Sequence, residues 1–288
     1  MLFTLKAWGR LTFGLLALSF AVSASAWEGA AVKVCADPNN PPYTDRKGQG
    51  FENKIAELLG KTVGKPVEYT WFPQRIGFIR NTLKAQLPDS DEYKCDVVMG
   101  WPTGAEMAAT TQPYYRSTYA LVYATKRGWD DIRSAEDLVK LPADRRAKLK
   151  LAMFDNSPAT TWLLNHGFVD HAIPYQTMTG DATKNTTMVL NEDMKSGKLD
   201  MAIIWGPIAG YLQHASKPGS FQVIPMPNEE GLQFVFPISM GVRVPDKARK
   251  QELDRFIEEK AADIESVLRE FKVPLVDKEG HLLPAAGR

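Results

Sequence analysis

Residues 232–244 read LQFVFPISMGVRV, and residues 247–271 read KARKQELDRFIEEKAADIESVLREF. The first stretch is a long apolar strand. The second places Leu253, Phe256, Ile257, Ile264, Leu268 and Phe271 on one side, the stripe of an amphipathic helix. A stripe that long has to be buried, and the sheet it covers decides the fold.

Two sets of strands and helices precede it. In the first, AVKVCA (31–36), PVEYTWF (66–72) and CDVVMG (95–100) read as strands. They alternate with FENKIAELLG (51–60), which carries Phe51, Ile55, Leu58 and Leu59 on one face and stops near Gly60. RIGFIRNTLKAQL (75–87) follows, with Ile76, Ile79, Leu83 and Leu87 along one side. Strand–helix alternation of this kind is a parallel α/β unit. The pattern restarts with the long strand STYALVYATKRG (117–128). KLKLAMFD (148–155), IPYQTM (173–178), LDMAIIW (199–205) and FQVIPM (221–226) are its further strands. Helices at 134–141, 158–168, 185–198 and 207–215 separate them; Ser134 with Asp137 imitates a capping box, Pro207 opens a helix and Gly197 ends one.

The second set consumes its own helices, so the C-terminal helix has no sheet left there and returns to the first. The expected fold class is α/β, two lobes each with a mostly parallel sheet flanked by helices. Two strands cross between them near 123–127 and 233–237. Residues 27–124 with 236–288 form one lobe and 125–235 the other. Two crossings make a hinge with a cleft, and ligands of such sheets lie outside the carboxyl ends of the strands.

Lys6 and Arg10 precede the apolar run LTFGLLALSFAV, and Ala24-Ser25-Ala26 follows it, which is the pattern of a cleaved signal peptide over 1–26. Export to the periplasm is therefore expected. Cleavage removes two basic residues and no acid, taking the formal charge from +1 to −1. A near-neutral chain offers nothing to nucleic acid or an anionic membrane. In an oxidising compartment Cys35 and Cys95 are either one disulfide or two inert buried thiols.

The strings VCADPNNPPY (34–43), GFENKIAELL (50–59), YTWFPQRIGFIRNTL (69–83), CDVVMGWPTG (95–104) and TTQPYYRSTYALVY (110–123) resemble the MxaJ/XoxJ proteins, in the amino-acid-binding branch of the type II periplasmic solute-binding proteins. The stretches 155–164 and 199–212 agree less distinctively. The resemblance implies an exported, non-enzymatic accessory protein that binds a quinoprotein (PQQ) methanol dehydrogenase and helps its assembly or activation. In the amino-acid-binding branch an Arg after the strand equivalent to DVVMG holds the ligand carboxylate, and an Asp ending the strand equivalent to DMAII holds the ammonium. Here residues 101–115 contain no Arg or Lys, and Trp205 stands at the second place. Burying either ligand charge unpaired costs several kcal/mol, so an amino-acid receptor is disfavoured.

The candidate cleft and partner-binding residues are Asp37, Tyr43, Phe72, Arg75, Trp101 and Trp205. Asp37 either meets a ligand or caps its own turn, and Tyr43 either recognises or anchors the loop. Trp101 and Trp205 either form a recognition surface or pack against the hinge, and Arg75 either meets a partner or answers a nearby carboxylate. The cleft then accepts part of the partner or a bulky planar ligand. A receptor for a small non-amino-acid or aromatic solute is the alternative. No serine-hydrolase elbow, zinc-binding H-E-x-x-H or phosphate loop occurs, and no metal or cofactor is expected.

Overall fold

A computed structural model describes residues 27–177 and 183–284. The expected signal peptide lies outside the described residues. The elements of the first half are β1 (Val32–Ala36), β2 (Asn39–Asn40), β3 (Thr44–Asp45), α1 (Phe51–Val63), β4 (Val67–Trp71), α2 (Phe78–Asn81), β5 (Val97–Pro102), β6 (Ala109–Thr110) and β7 (Tyr115–Ala124). The second half contributes α3 (Ala135–Val139), α4 (Ala143–Arg146), β8 (Leu151–Phe154), α5 (Pro158–Asn165), β9 (Ala172–Tyr175), α6 (Thr186–Ser196), β10 (Met201–Trp205), α7 (Gly206–His214) and β11 (Phe221–Pro225). β12 (Val235–Val242), α8 (Lys247–Glu259) and α9 (Ala261–Glu270) close the chain.

β1 runs parallel to β4 and β5, and β8 runs parallel to β9 and β10, so each lobe has a parallel core. Separate buried clusters fill them. Phe51, Ile55, Leu59 and Val97 pack in the first lobe, and Leu151, Trp162, Phe168 and Ile203 in the second. The long C-terminal stripe returns as expected, with Leu253, Phe256, Ile257, Ile264, Leu268 and Phe271 all in the first-lobe cluster. It is not one helix, because the backbone breaks at Lys260 into α8 and α9.

The hinge differs from the sequence reading. Val235–Ile238 of β12 pair antiparallel with Tyr115–Thr118 of β7, so hydrogen bonding runs unbroken through β4-β1-β5-β12-β7-β10-β8-β9. The two lobes, each with its parallel core, are joined through this pair into one connected sheet path. β7 does not cross at 123–127: Tyr119 to Tyr123 already pair with β10, and Leu121 and Tyr123 are buried in the second lobe. The apolar run of β7 is continuous across the crossing, so its pattern marks no change of neighbours.

Two helix readings are also corrected. α1 continues past Gly60 to Val63 and ends at Gly64, whose φ of 68° is the left-handed C-cap. Gly60 serves instead for close approach, since a Cβ there would lie 2.7 Å from Val67 Cγ2. The helix expected over 75–87 is one turn long. Ile76 is 91% exposed and Leu87 38%, while Ile79 and Leu83 are buried beside the disulfide. The Cys35–Cys95 disulfide is formed and fastens β1 to the approach to β5. Nearby, Arg243 donates to the Cys95 carbonyl at 2.5 Å and pairs with Asp96 at 2.9 Å and Asp246 at 2.6 Å. Among the described residues no helix is long and apolar enough to cross a membrane.

Candidate functional site

A cavity of about 540 Å³ lies where the two lobes face each other across the β7–β12 pair. Its first-lobe wall includes Asn40, Tyr43, Glu52 and Gly100, and its second-lobe wall Thr186, Thr187, Trp205 and Ile208. Tyr115, Tyr119, Phe236 and Ile238 on the hinge strands close the back. Trp205 ends β10 at the head of α7, with its ring centroid 5.5 Å from Tyr119 and 6.0 Å from Phe236. A smaller space of about 80 Å³ continues behind Trp205 towards Phe154 and Ser157.

The mouth is latched. Thr187 Oγ1–H donates to the Pro41 carbonyl at 2.8 Å, Asn185 Nδ2–H to the Asn39 carbonyl at 3.3 Å, and Asn39 Nδ2–H to the Thr183 carbonyl at 3.3 Å. The Asn-Asn-Pro-Pro segment of the first lobe is thus the lip that meets the start of α6 in the second. Elsewhere between the lobes, α7 lies against the end of α9. His214 Nδ1 sits 2.9 Å from the Glu270 carbonyl and its ring stacks on Phe271 at 4.8 Å.

Of the six residues singled out from the sequence, Tyr43 and Trp205 line this cavity. Asp37 is spent on the lip, where its carboxylate accepts from the Asn39 N–H at 2.8 Å and the Gln74 N–H at 2.5 Å. Phe72 packs towards Phe78 at 6.5 Å, in the cluster around the disulfide. Trp101 turns to the same cluster, because alternation along β5 sends its side chain away from the face that presents Gly100 and Pro102. Its Nε1 is buried without a hydrogen-bond partner. Arg75 is exposed on the loop before α2 and is not among the cavity residues.

The sequence reading missed Glu52. It is the second residue of α1, is 7% exposed, and lies on the cavity floor. Its carboxyl sits over Gly100: a Cβ on that residue would lie 2.2 Å from Glu52 Oε1, and Gly100 has φ +67°. Among the described residues nothing donates a hydrogen bond to it or pairs with it. Burial pushes its pKa up to about 8, which favours the protonated acid at neutral pH. Burial, and then the nearby Glu52, likewise hold the Tyr43 hydroxyl well above its usual range. Tyr114, whose oxygen accepts the Gly100 N–H at 3.1 Å, is raised for the same reasons. A signal was present in the sequence. Glu52, Ala56 and Gly60 form a second line along α1, and two small residues following an acid at four-residue steps mark a closely packed face.

Neither clamp residue stands at its expected place: the described lining residues include no Arg, Lys or His and no Asp, and their one carboxyl is Glu52, from α1. The arrangement is one carboxylic acid at the bottom of an aromatic cage, with Asn, Gln and Thr side chains towards the lip.

No protein-family model matches the chain. It is 28% identical over 276 residues to Protein MoxJ of Methylorubrum extorquens, covering 90% of this chain and 86% of that one. The crystal structure of the periplasmic binding protein XoxJ from Methylobacterium extorquens AM1 is 31% identical, with a TM-score of 0.67, and the match covers 86% of this chain and 100% of XoxJ. That of MxaJ from Methlophaga aminisulfidivorans MPT is 26% identical, with a TM-score of 0.69 over 85% of this chain and 100% of MxaJ.

Proposed function

The chain belongs to the MxaJ/XoxJ family of periplasmic binding proteins, and from that premise we propose that it is a non-enzymatic accessory protein of a PQQ-dependent methanol (alcohol) dehydrogenase. It is exported to the periplasm by cleavage after residue 26, binds the dehydrogenase transiently and assists its assembly or activation. The observation that carries this reading is the match to the whole length of XoxJ and MxaJ by a chain whose cleft lacks the amino-acid clamp. A two-lobed protein that keeps the binding-protein frame without the clamp residues at their usual places is suited to another task, since function resides in the site and not in the fold.

The contact surface we assign to the partner is the lip and the loop beside it. Asp37 holds that loop in shape through Gln74, Arg75 is exposed on it, and Ile76 next to Arg75 is 91% exposed. An apolar side chain that stands so far into solvent is suited to anchor a protein partner. Calorimetric titration of the purified mature protein into the dehydrogenase, with turnover followed in parallel, tests the reading. Micromolar or tighter association with a change in activity supports it. No heat and no effect with either apo or cofactor-loaded enzyme would sink it.

A second reading, a receptor for a small solute that is not an amino acid, draws on one observation. The cavity lies beneath the latched lip, and 540 Å³ is the size of a small-molecule pocket.

A further inference from the structure

The cavity floor poses a chemical question that the dehydrogenase reading leaves unanswered. A carboxyl group is held in an apolar pocket with no hydrogen-bond partner among the described residues, at a desolvation cost that a Leu would avoid. The backbone is shaped around it, since only a glycine at position 100 leaves room for Oε1. Near it, from the lip, β4 and the start of β7, are Tyr43, Tyr69, Tyr114 and Tyr115, each shifted upward in part by Glu52, and no basic side chain acts on it. These phenols stay neutral at any pH at which the protein works, so the acid has no counter-charge of its own.

We propose that the interlobe cavity binds a small organic monocation, its ammonium head against the Glu52 carboxylate and its apolar body among the rings of Tyr115, Tyr119, Trp205 and Phe236. Aromatic rings attract cations through their quadrupoles, most strongly where water is excluded. Glu52 lies in the first turn of α1, where the positive end of the helix dipole lowers the cost of the ionised form once a cation is beside it. An anionic ligand group would meet an acid and no base. The polar groups nearest the lip, Asn40, Gln74 and Thr187, suit a hydrophilic tail. On binding, the ligand's charge replaces the proton on Glu52, which is released to solvent. This gives the second reading its ligand class and stands apart from the dehydrogenase reading, which has its own titration.

The test uses three probes of one shape: phenethylammonium, 2-phenylethanol and 3-phenylpropionate, with choline as a quaternary head. Calorimetry of the full mature chain should show binding of the two cations and at least tenfold weaker binding of the alcohol and the acid. Repeating the titration in buffers of different ionisation enthalpy should show up to one proton released. Affinity for the cations should rise with pH by up to about tenfold per unit below pH 8. Glu52→Gln should lose at least tenfold in cation affinity and the proton release, and Phe236→Leu, which removes a ring and no charge, should lose severalfold. Equal binding of alcohol and cation, with no proton released, would leave a solute receptor standing and overturn the cation assignment. Absence of heat from either cation, in a chain whose melting transition is intact, would overturn it as well.

Discussion

At the scale of single residues, Glu52 governs a measurable pH dependence. Its pKa of about 8 in the folded chain stands against an ordinary value of 4.5, so the folded state keeps a proton that the unfolded state gives up between those values. Stability therefore falls as the pH rises from 4.5 to 8 and gains no further dependence from this group above that. At roughly 1.4 kcal/mol per pKa unit the loss reaches a few kcal/mol. Glu52→Gln is expected to match the parent near pH 4.5 and to melt at a higher temperature at pH 8.5. A difference between the two that does not change with pH would show the acid to be ionised in the folded chain. Trp101 makes the opposite case. Because it packs, partly buried, on the disulfide cluster and not on the cavity, Trp101→Ala should destabilise by about 1–3 kcal/mol, less than the truncation of a fully buried aromatic. Urea unfolding checks it, and cation affinity in the folded fraction should be unchanged. The pair also shows what a sequence reveals of a site. Tyr43 and Trp205 were legible because an aromatic after an apolar strand or a Pro-Pro turn is conspicuous. Glu52 was not, because an acid in the first turn of a helix is what solvent-exposed helices carry too.

At the scale of elements, local periodicity was a good guide wherever burial is decided within the element. α1 and the α8–α9 stripe present the faces their spacing predicts, and α6 ends at Gly197 as expected. It failed for α2, where Ile76 and Leu87 carry the apolar pattern into loops that tertiary packing leaves exposed. It also could not locate the crossing of β7, since one apolar strand pairs with either lobe equally well. Two element-level junctions yield predictions. The disulfide closes a loop of 60 residues between β1 and the approach to β5. In the chain-entropy model Cys35→Ala/Cys95→Ala should cost about 4 kcal/mol, and less if the unfolded chain is compact. Chemical denaturation of oxidised and double-variant protein measures it; a loss below about 1 kcal/mol would mean that Arg243 and its partners hold that corner unaided. At the other junction, Gly210 of α7 lies on the backbone after α9, and a Cβ there would fall 2.0 Å from the Lys272 carbonyl oxygen. Gly210→Ala has to push α7 away from the first lobe, with an expected cost of about 1–3 kcal/mol as for other overpacked contacts. An unaltered denaturation midpoint would show that the two elements separate without strain.

At the scale of the whole molecule, the question is what keeps the lobes together with the cavity between them. Two kinds of contact compete for the answer. At the lip, three hydrogen bonds among the described residues join Asn39 and Pro41 to the segment entering α6, each worth about 0.5–1.5 kcal/mol net. Beside the hinge, α7 packs on α9 through His214, Phe271 and the close approach of Gly210, contacts that would be strained or lost on wide opening. The lip bonds are few and join side chains to loop carbonyls, which is the character of a latch, whereas α7 meets the end of α9 by ring stacking and a backbone close approach, which is the character of a pivot. On that division, Asn39→Ala/Thr187→Val removes two of the lip donors and leaves the pivot. The expected result is a small loss of melting temperature, faster hydrogen exchange at residues 39–45 and 183–190, and a larger radius of gyration by X-ray scattering. A bound cation, which touches both walls, should restore the compact radius in the double variant. A radius already at the parent value would assign closure to the pivot and leave the lip as a passive rim.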